Sequence, residues 1–494
     1  MTRSRRSLAA CLAWCLATAN VFAAPSLKSC LLESVNGKTE RARFSGDTGF
    51  QSKDVRPYNL NFPYDPFAIL YPIDASEVSD IVVCASKYNR KVQARSGGHD
   101  YTNKGIGGND GAVVVDLKHI NHVQVDSSGV AKVGAGNRLK DVCEKLHSAG
   151  KRYMPHGSSP TVGIGGHATV GGLGLHSRIL GTSIDVMTAA EVVLANGTVV
   201  TVVTVSKTRH PDIFWAIRGA GASFGIVTNF YFQTYPEPKE VVNFAFTVAS
   251  EDPVKLSSAF KAYHEITTAK SLDPRLSSVA IIGKGSVLIS GVFFGTESDY
   301  QAHNFSHRIP GITEQSATAG LSWMGHMNRT FDSISNIFPE QSHFYAKDTA
   351  IAYSSLPSNN SIDAVFKHLQ TSDSGSKSWF VLVDLYGGAV NNVRADATAF
   401  PHRDLAYFFA LYAQTESETS PTTHEFADKA VLLYQGSQPE RYLSYAGYTN
   451  LRIKGSAQRK YWGNNLARLE KIKSVVDPKD VFSTPQGVKP RGSK

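Results

Sequence analysis

Three glycine-rich stretches, each holding side chains capable of chemistry, constrain this chain more than any other feature. The first is Arg95-Ser96-Gly97-Gly98-His99-Asp100-Tyr101, directly after the strand-like run Lys91–Arg95. Consecutive glycines free backbone N–H groups and let the chain approach a phosphate or a ring closely. A histidine right after them is placed to meet whatever the loop cradles, although a tight turn beside a solvated histidine reads equally well. The second runs His156-Gly157-Ser158-Ser159-Pro160-Thr161-Val162-Gly163-Ile164-Gly165-Gly166-His167-Ala168, followed by Gly171-Gly172-Leu173-Gly174. Gly163, Gly165 and Ala168 fit a dinucleotide fingerprint formally, with Asp185 at a tempting distance. A proline-containing loop precedes them where a strand is required, which rejects a Rossmann site. Two such loops without a Walker lysine suggest a pyrophosphate held by backbone amides, without ATP chemistry. His156 and His167 lack acidic or thiol company, so no metal site is expected. The third stretch is Asp212–Val227, with Arg218, Gly219, Gly221, Gly225 and Ile226; its plain reading is a helix end and a strand, with Phe214 and Trp215 in the core.

Between these loops the pattern is α+β. Ile81–Lys87, Lys140–Ser148 and Pro211–Arg218 read as helices, and Ala112–Leu117, Val130–Gly134 and Phe224–Tyr235 as strands. Asn196-Gly197 between two β-branched runs predicts a hairpin over Glu191–Val203. Composition shifts at Tyr235–Lys239, where a boundary is placed. Longer strands follow (Val242–Val248, Val287–Phe294, Trp379–Tyr386) with an amphipathic helix over Val254–Ala269, which predicts a large antiparallel sheet. A last helix is expected over Gln458–Val476, stopped by Asp477-Pro478.

The first 23 residues read as a secretory signal: Arg3 to Arg6, the apolar run Leu8–Ala17, then small residues around Ala23. That run is too short to span a bilayer, no later stretch is long enough, and a soluble secreted protein is expected. The formal charge of +9 falls to +6 without Arg3, Arg5 and Arg6. Over a chain of 494 residues with no basic block, this implies neither a nucleic-acid nor a membrane partner. Cys11 and Cys15 leave with the signal. Cys143 shares a helical face with Leu139, Val142 and Leu146 and reads as a buried thiol, which leaves Cys30–Cys84 as the expected disulfide. Asn196, Asn304, Asn328 and Asn359 head possible glycosylation sequons.

Together the three loops resemble the PCMH-type FAD-binding domain of the vanillyl-alcohol-oxidase superfamily, in its berberine-bridge-enzyme-like branch. The ending Asp477-Pro478-Lys479-Asp480-Val481-Phe482 with Pro485-Gln486-Gly487 is similar to that branch too. The chain looks most similar to secreted glucooligosaccharide and chitooligosaccharide oxidases. The resemblance implies a two-part FAD-binding domain (24–240 and 441–494) around an inserted substrate domain (241–440) built on a large antiparallel sheet. It implies FAD contacts from Arg95, Ser96, Gly97 and Gly98, from Ser158, Ser159, Gly163, Gly165, Gly166 and His167, from Gly171, Gly174, Gly225 and Ile226, and from Gln486. His99 matches the histidine bonded covalently to the flavin. Those oxidases carry a second link from a cysteine; Ser159 stands at that position here. A hydroxyl is a far poorer nucleophile than a thiolate, so a single histidyl link is expected.

A flavin oxidase needs a base to take the substrate hydroxyl proton. Tyr442-Leu443-Ser444-Tyr445 resembles the family's Tyr-x-Asn-Tyr motif, whose second tyrosine is that base, which implies Tyr445. Asp384, a carboxylate on an otherwise apolar strand, matches its partner, and Tyr101 matches a tyrosine near the flavin. An unpaired carboxylate on such a strand is expensive unless it has work to do. On the same strand, Phe380 and Leu382 stand where the sugar oxidases tend to show Trp and Gln, and Ala410 replaces a Gln on the next. Losing those amides removes hydrogen bonds that a polyhydroxylated substrate would want. Three readings follow. One is a monomeric oxidase that converts an oligosaccharide reducing end to a lactone and passes electrons to O₂. The second applies the same chemistry to an apolar secondary metabolite, by dehydrogenation or oxidative cyclisation. The third is a binding glycoprotein with a vestigial flavin, which the joint retention of His99, Tyr101, Asp384 and Tyr445 argues against.

Overall fold

The computed structural model describes residues 26–203, 210–335, 341–437 and 439–492. The expected signal segment, with Cys11 and Cys15, lies outside them. The first sheet has four strands in the order Ala42–Phe44, Ala68–Leu70, Val113–Asp116, Val92–Arg95, and the last three are parallel. The helix Ala75–Lys87 crosses between Ala68–Leu70 and Val92–Arg95. It starts well before the expected Ile81, because Asp74 caps it by accepting from the Glu77 amide at 2.9 Å. The glycine stretch Ser96–His99 therefore leaves the carboxyl end of a parallel strand, which is where open α/β sheets place ligands.

A second sheet of five antiparallel strands contains the expected hairpin, Met187–Val193 with Val199–Val203, and Ile226–Gln233 at its centre. Asp185 is claimed by a buried ion pair with Arg403 (2.7 Å), so it serves no nucleotide ribose. Phe214 and Trp215 lie in the core as the plain reading has it.

The third sheet has seven antiparallel strands, in the order Glu314–Leu321, Val241–Ala249, Ser286–Phe293, Leu276–Gly283, Ser378–Leu385, Leu405–Thr415, His343–Ala352. Strand alternation sends Ala280, Ile289, Val381, Val383 and Phe409 to one face. There they pack in one core with Phe260, Val365 and Phe426 of the helices Pro253–Thr268, Asn359–Thr371 and Pro421–Gln435. Burying each large apolar side chain there contributes about 1.5–3 kcal/mol. The other face is left for Val279, Ile281, Leu382, Asp384 and Phe408, which turn toward the glycine loops.

The expected helix Gln458–Val476 is broken. Gly463 takes φ +49°, which ends Ala457–Trp462 and lets the chain restart as Leu466–Val476. The restart places Lys473 in the interior, where its ammonium meets Asp477 at 2.6 Å and donates to the carbonyls of Ser223 and Phe482. The C-terminal tail is thereby pinned to the third glycine stretch. Losing one partner of such a buried pair costs about 3–5 kcal/mol.

Cys30 and Cys84 form a disulfide and Cys143 is a free, buried thiol. Among the described residues no helix is long and apolar enough to cross a membrane. Asn196, Asn304, Asn328 and Asn359 are all exposed.

Candidate active site

A cavity of about 940 Å³ lies between the glycine loops and the free face of the seven-stranded sheet. This is at the upper end of the ~300–1,000 Å³ typical of ligand sites. The two principal loops touch backbone to backbone at Gly97 and Gly163, where a Cβ on either residue would fall on the other's amide nitrogen. Glycine at both positions is what brings His99 beside the 157–166 loop. The cavity is lined by Ser96, Gly97, Gly98, His99 and Tyr101 from the first loop, and by Ser158, Ser159, Gly163, Gly165, Gly166 and His167 from the second. Gly174, Gly225 and Ile226 complete that end, with Leu382, Asp384 and Tyr445 opposite.

Five expected contacts are placed differently. Arg95 lines the cavity, but its guanidinium is committed to Asp116 (2.7 Å) and to the carbonyls of Asp54 and Val55. Gly171 is not on the wall; it lies behind Tyr445, and a Cβ there would meet Phe400 at 3.0 Å and the Tyr445 oxygen at 3.3 Å. Gln486 lies outside the cavity, bridging the Tyr461 hydroxyl and the Asn450 carbonyl. Phe380 and Ala410 do point to the expected face of the sheet, but outside the cavity lining. They join Tyr58, Phe344, Tyr412 and Tyr448 in an aromatic cluster, where Phe380 stacks on Tyr412 at 5.2 Å.

His99 sits against the Tyr58 ring (4.4 Å between centroids), with Nε2 2.9 Å from the Thr161 hydroxyl. Burial, and then the nearby Arg138 guanidinium, push its pKa down to about 4. The imidazole is thus neutral, and nucleophilic, at physiological pH. Arg138 donates to the carbonyls of Gly97 and of Thr161 (2.6 Å), fastening the two loops together. His167 accepts from the Gly157 amide at 2.9 Å, and burial holds it down to about 3, so it is a neutral structural acceptor.

At the opposite wall Asp384 stands between Val279 and Phe408 in the strand register. Burial alone raises its carboxyl to about 7. Its charge bears on the phenols of Tyr386, Tyr448 and Tyr263. Tyr445 is buried, and its acidity is lowered first by burial and then by Asp348. The Gly172 amide works in the other direction, by donating to the phenol oxygen. Tyr448 links the two: its ring is 5.2 Å from that of Tyr445 and stacks on Tyr101 at 5.5 Å, and its phenol feels both Asp384 and Tyr445.

Four residues of this site escaped the sequence analysis: Arg138, Thr161, Asp348 and Tyr448. Thr161 lies inside the second glycine stretch and Tyr448 three residues after Tyr445, so proximity could have flagged both. Asp348 is buried opposite Ala410, accepts from the Tyr445 amide at 2.7 Å and is raised to about 8 by burial. Arg138 merely precedes a helix. Nothing local marks either one.

The loop end offers what an FAD requires: glycine backbone at close quarters, open space beside Gly166, and a neutral histidine at the wall. The residues fit the group. This fold and site define a PCMH-type FAD-dependent oxidoreductase with a large antiparallel sheet facing its glycine loops. The family description "FAD binding domain" matches residues 66–203, and "Berberine and berberine like" matches 444–489. The chain is 35% identical to the FAD-linked oxidoreductase sorD of Penicillium rubens, over 95% of this chain and 99% of that one. A solved chitooligosaccharide oxidase superposes with TM-score 0.85 at 30% identity, over 94% of this chain and all of that one. A glucooligosaccharide oxidase from Acremonium strictum, described as holding a 6-S-cysteinyl, 8α-N1-histidyl FAD, gives 0.83 at 28%, over 95% of this chain and 100% of that one. The chain belongs to the berberine-like FAD-linked oxidoreductases.

Proposed function

We propose that this enzyme is a secreted oxidase that removes a hydride from an alcohol or hemiacetal carbon, an oligosaccharide reducing end being the first candidate, and delivers the electrons to O₂ as H₂O₂. The observation that carries the reading is Asp384. It is a carboxyl raised to about 7 on an otherwise apolar row, facing the same cavity as Tyr445 and the flavin loops. FAD, held by the glycine loops and linked once through His99, supplies the hydride acceptor. Ser159 makes no second link. Tyr445 holds the substrate hydroxyl and takes its proton, with the Gly172 amide steadying the charge that develops on the phenol oxygen. Burial makes a phenolate costly, so the phenol must pass its own proton on as it accepts one. Asp384, ionised above pH 7, is the acceptor, and the Tyr448 phenol feels both groups. The 94–95% coverage of oligosaccharide oxidases supports the carbohydrate reading.

The second reading, an apolar metabolite as substrate, is favoured by the wall beside Asp384. Leu382, Ile281, Leu288, Val279 and Phe408 offer no hydrogen bonds to a sugar ring, and the resemblance to sorD points the same way. Peroxide release over a panel of oligosaccharides, simple alcohols and apolar polycyclic alcohols decides between them. Turnover of an oligosaccharide that Tyr445→Phe abolishes establishes the first reading; peroxide from apolar alcohols alone establishes the second.

A further inference from the structure

We infer that Thr161 is a positioning residue for flavin attachment: its hydroxyl tethers Nε2 of His99 before and after the step and leaves Nδ1 as the nitrogen free to attack. This rests on the His99 link proposed above. The side chains form a closed arrangement. Gly97 and Gly163 bring the two loops into backbone contact, and Arg138 donates to a carbonyl on each of them, Gly97 and Thr161. His99 and Thr161 are the side chains these clamped segments bring together, with Nε2 2.9 Å from Oγ1. A neutral imidazole has one N–H and one lone pair, and the partner of one nitrogen decides the state of the other. When Nε2–H donates to the Thr161 oxygen, the lone pair is on Nδ1, the nitrogen outside that tether, and His99 lines the cavity. The exchange tautomer would point an N–H at the flavin and could not attack.

The attachment step balances with O₂ as its oxidant. A bond forms between Nδ1 and the flavin 8α carbon as one C–H bond of that carbon breaks. The hydrogen leaves as a proton, and the two electrons of the C–H bond pass to the flavin and from it to O₂. Alkylation leaves the imidazole cationic, and it sheds the Nε2 proton. Those two protons and two electrons make one H₂O₂. A hydroxyl serves both stages, because it accepts from Nε2–H beforehand and donates to bare Nε2 afterwards. Valine, of similar shape, does neither. Arg138 keeps the ring neutral beforehand and favours loss of the Nε2 proton afterwards. Thr161 is exposed, so its substitution does not threaten the fold.

The test uses full-length secreted protein loaded with FAD, and reads the flavin that stays with the denatured chain as in-gel fluorescence over time. Tightly bound but dialysable flavin is measured separately. Thr161→Val is expected to bind FAD and to attach it about tenfold more slowly or worse, on the scale on which orienting partners of a histidine act. Thr161→Ser is expected to restore the wild-type rate. Attachment in Thr161→Val at the wild-type rate overturns the proposal, as does a Thr161→Ser variant as slow as the valine. His99→Ala separates this from the reading beneath it. Flavin retained by denatured His99→Ala, or absent from the denatured wild type, overturns the His99 link itself.

Discussion

The cavity face of the large sheet changes character from one edge to the other. On the strands Glu314–Leu321, Val241–Ala249, Ser286–Phe293 and Leu276–Gly283, the wall is mixed, with Ser316, Thr318, Asn243, Ser290 and Ser277 among Ala245, Leu288, Val279 and Ile281. On Ser378–Leu385 and Leu405–Thr415 it becomes Leu382, Phe408 and Tyr412, backed by Phe380 and Ala410. Asp384 stands in the row that runs Ser316, Ala245, Ser290, Val279, Asp384, Phe408, between the two characters. Placed there, the carboxyl is dry enough on the aromatic side to be raised to about 7, while hydroxyls begin two strands away. Such a wall offers an apolar surface to one class of substrate and hydroxyls to the other.

The largest effect should come from the boundary itself. Asp384→Asn is expected to lower kcat/KM by about 10²–10⁴-fold, the usual share of a positioned proton acceptor. In the wild type, kcat/KM should climb as pH rises through about 7, because only the ionised carboxylate accepts a proton, and that limb should vanish in Asp384→Asn. A limb that persists would place the titrating group elsewhere. Next come the two flanks. Leu382→Ala should cost apolar alcohols about 1–3 kcal/mol in kcat/KM, and Ser290→Val should cost hydroxylated substrates a similar amount. Whichever substrate turns over, only one flank should matter much for it. Equal losses at both would mean that a single substrate spans the wall.

The sequence disclosed the parts of this site that are local. The glycine loops, the Asn196-Gly197 hairpin and a carboxylate on an apolar strand are each legible within a dozen residues. Alternation also put Phe380, Leu382 and Asp384 on the correct face. What it could not show is which stretch of that face stays open. Tyr58 and Phe344, far away in the chain, join Ala410 in one cluster against which Phe380 packs, so two residues chosen for the pocket lie outside its lining. Asp348 was hidden for the same reason. Its meaning comes from register, opposite Ala410 and under the Tyr445 amide, and register between strands so distant in sequence is a tertiary fact. Gly463-Asn464-Asn465 is itself a helix-stop signal, which the helical spacing of Leu466, Leu469, Ile472 and Val476 masked.

The two ends should also answer pH in opposite senses, through one buried group each. Asp348, at the aromatic end, is raised to about 8 from an ordinary value near 4. Between those limits the folded chain holds a proton that the unfolded chain has released. Its stability contribution is therefore present at low pH and is lost as pH rises, at about 1.4 kcal/mol per pH unit. His326, at the hydroxyl end, is packed with Trp323, bonded through Nδ1 to Asn243 at 2.7 Å and pushed down to about 4 by burial. Here the unfolded chain binds the extra proton, so stability is lost as pH falls from about 6.5 toward 4, at about the same rate. In melting temperatures measured across pH 4–8 the two slopes offset each other below about pH 6.5, so Asp348→Asn should remove the fall above that point and uncover a rise with pH from 4 to about 6.5. His326→Gln should do the reverse and leave one continuous fall from about pH 4 to 8. An alkaline fall that persists in Asp348→Asn would mean that this carboxyl is ionised in the folded enzyme, and the dryness assigned to the aromatic end would have to be given up.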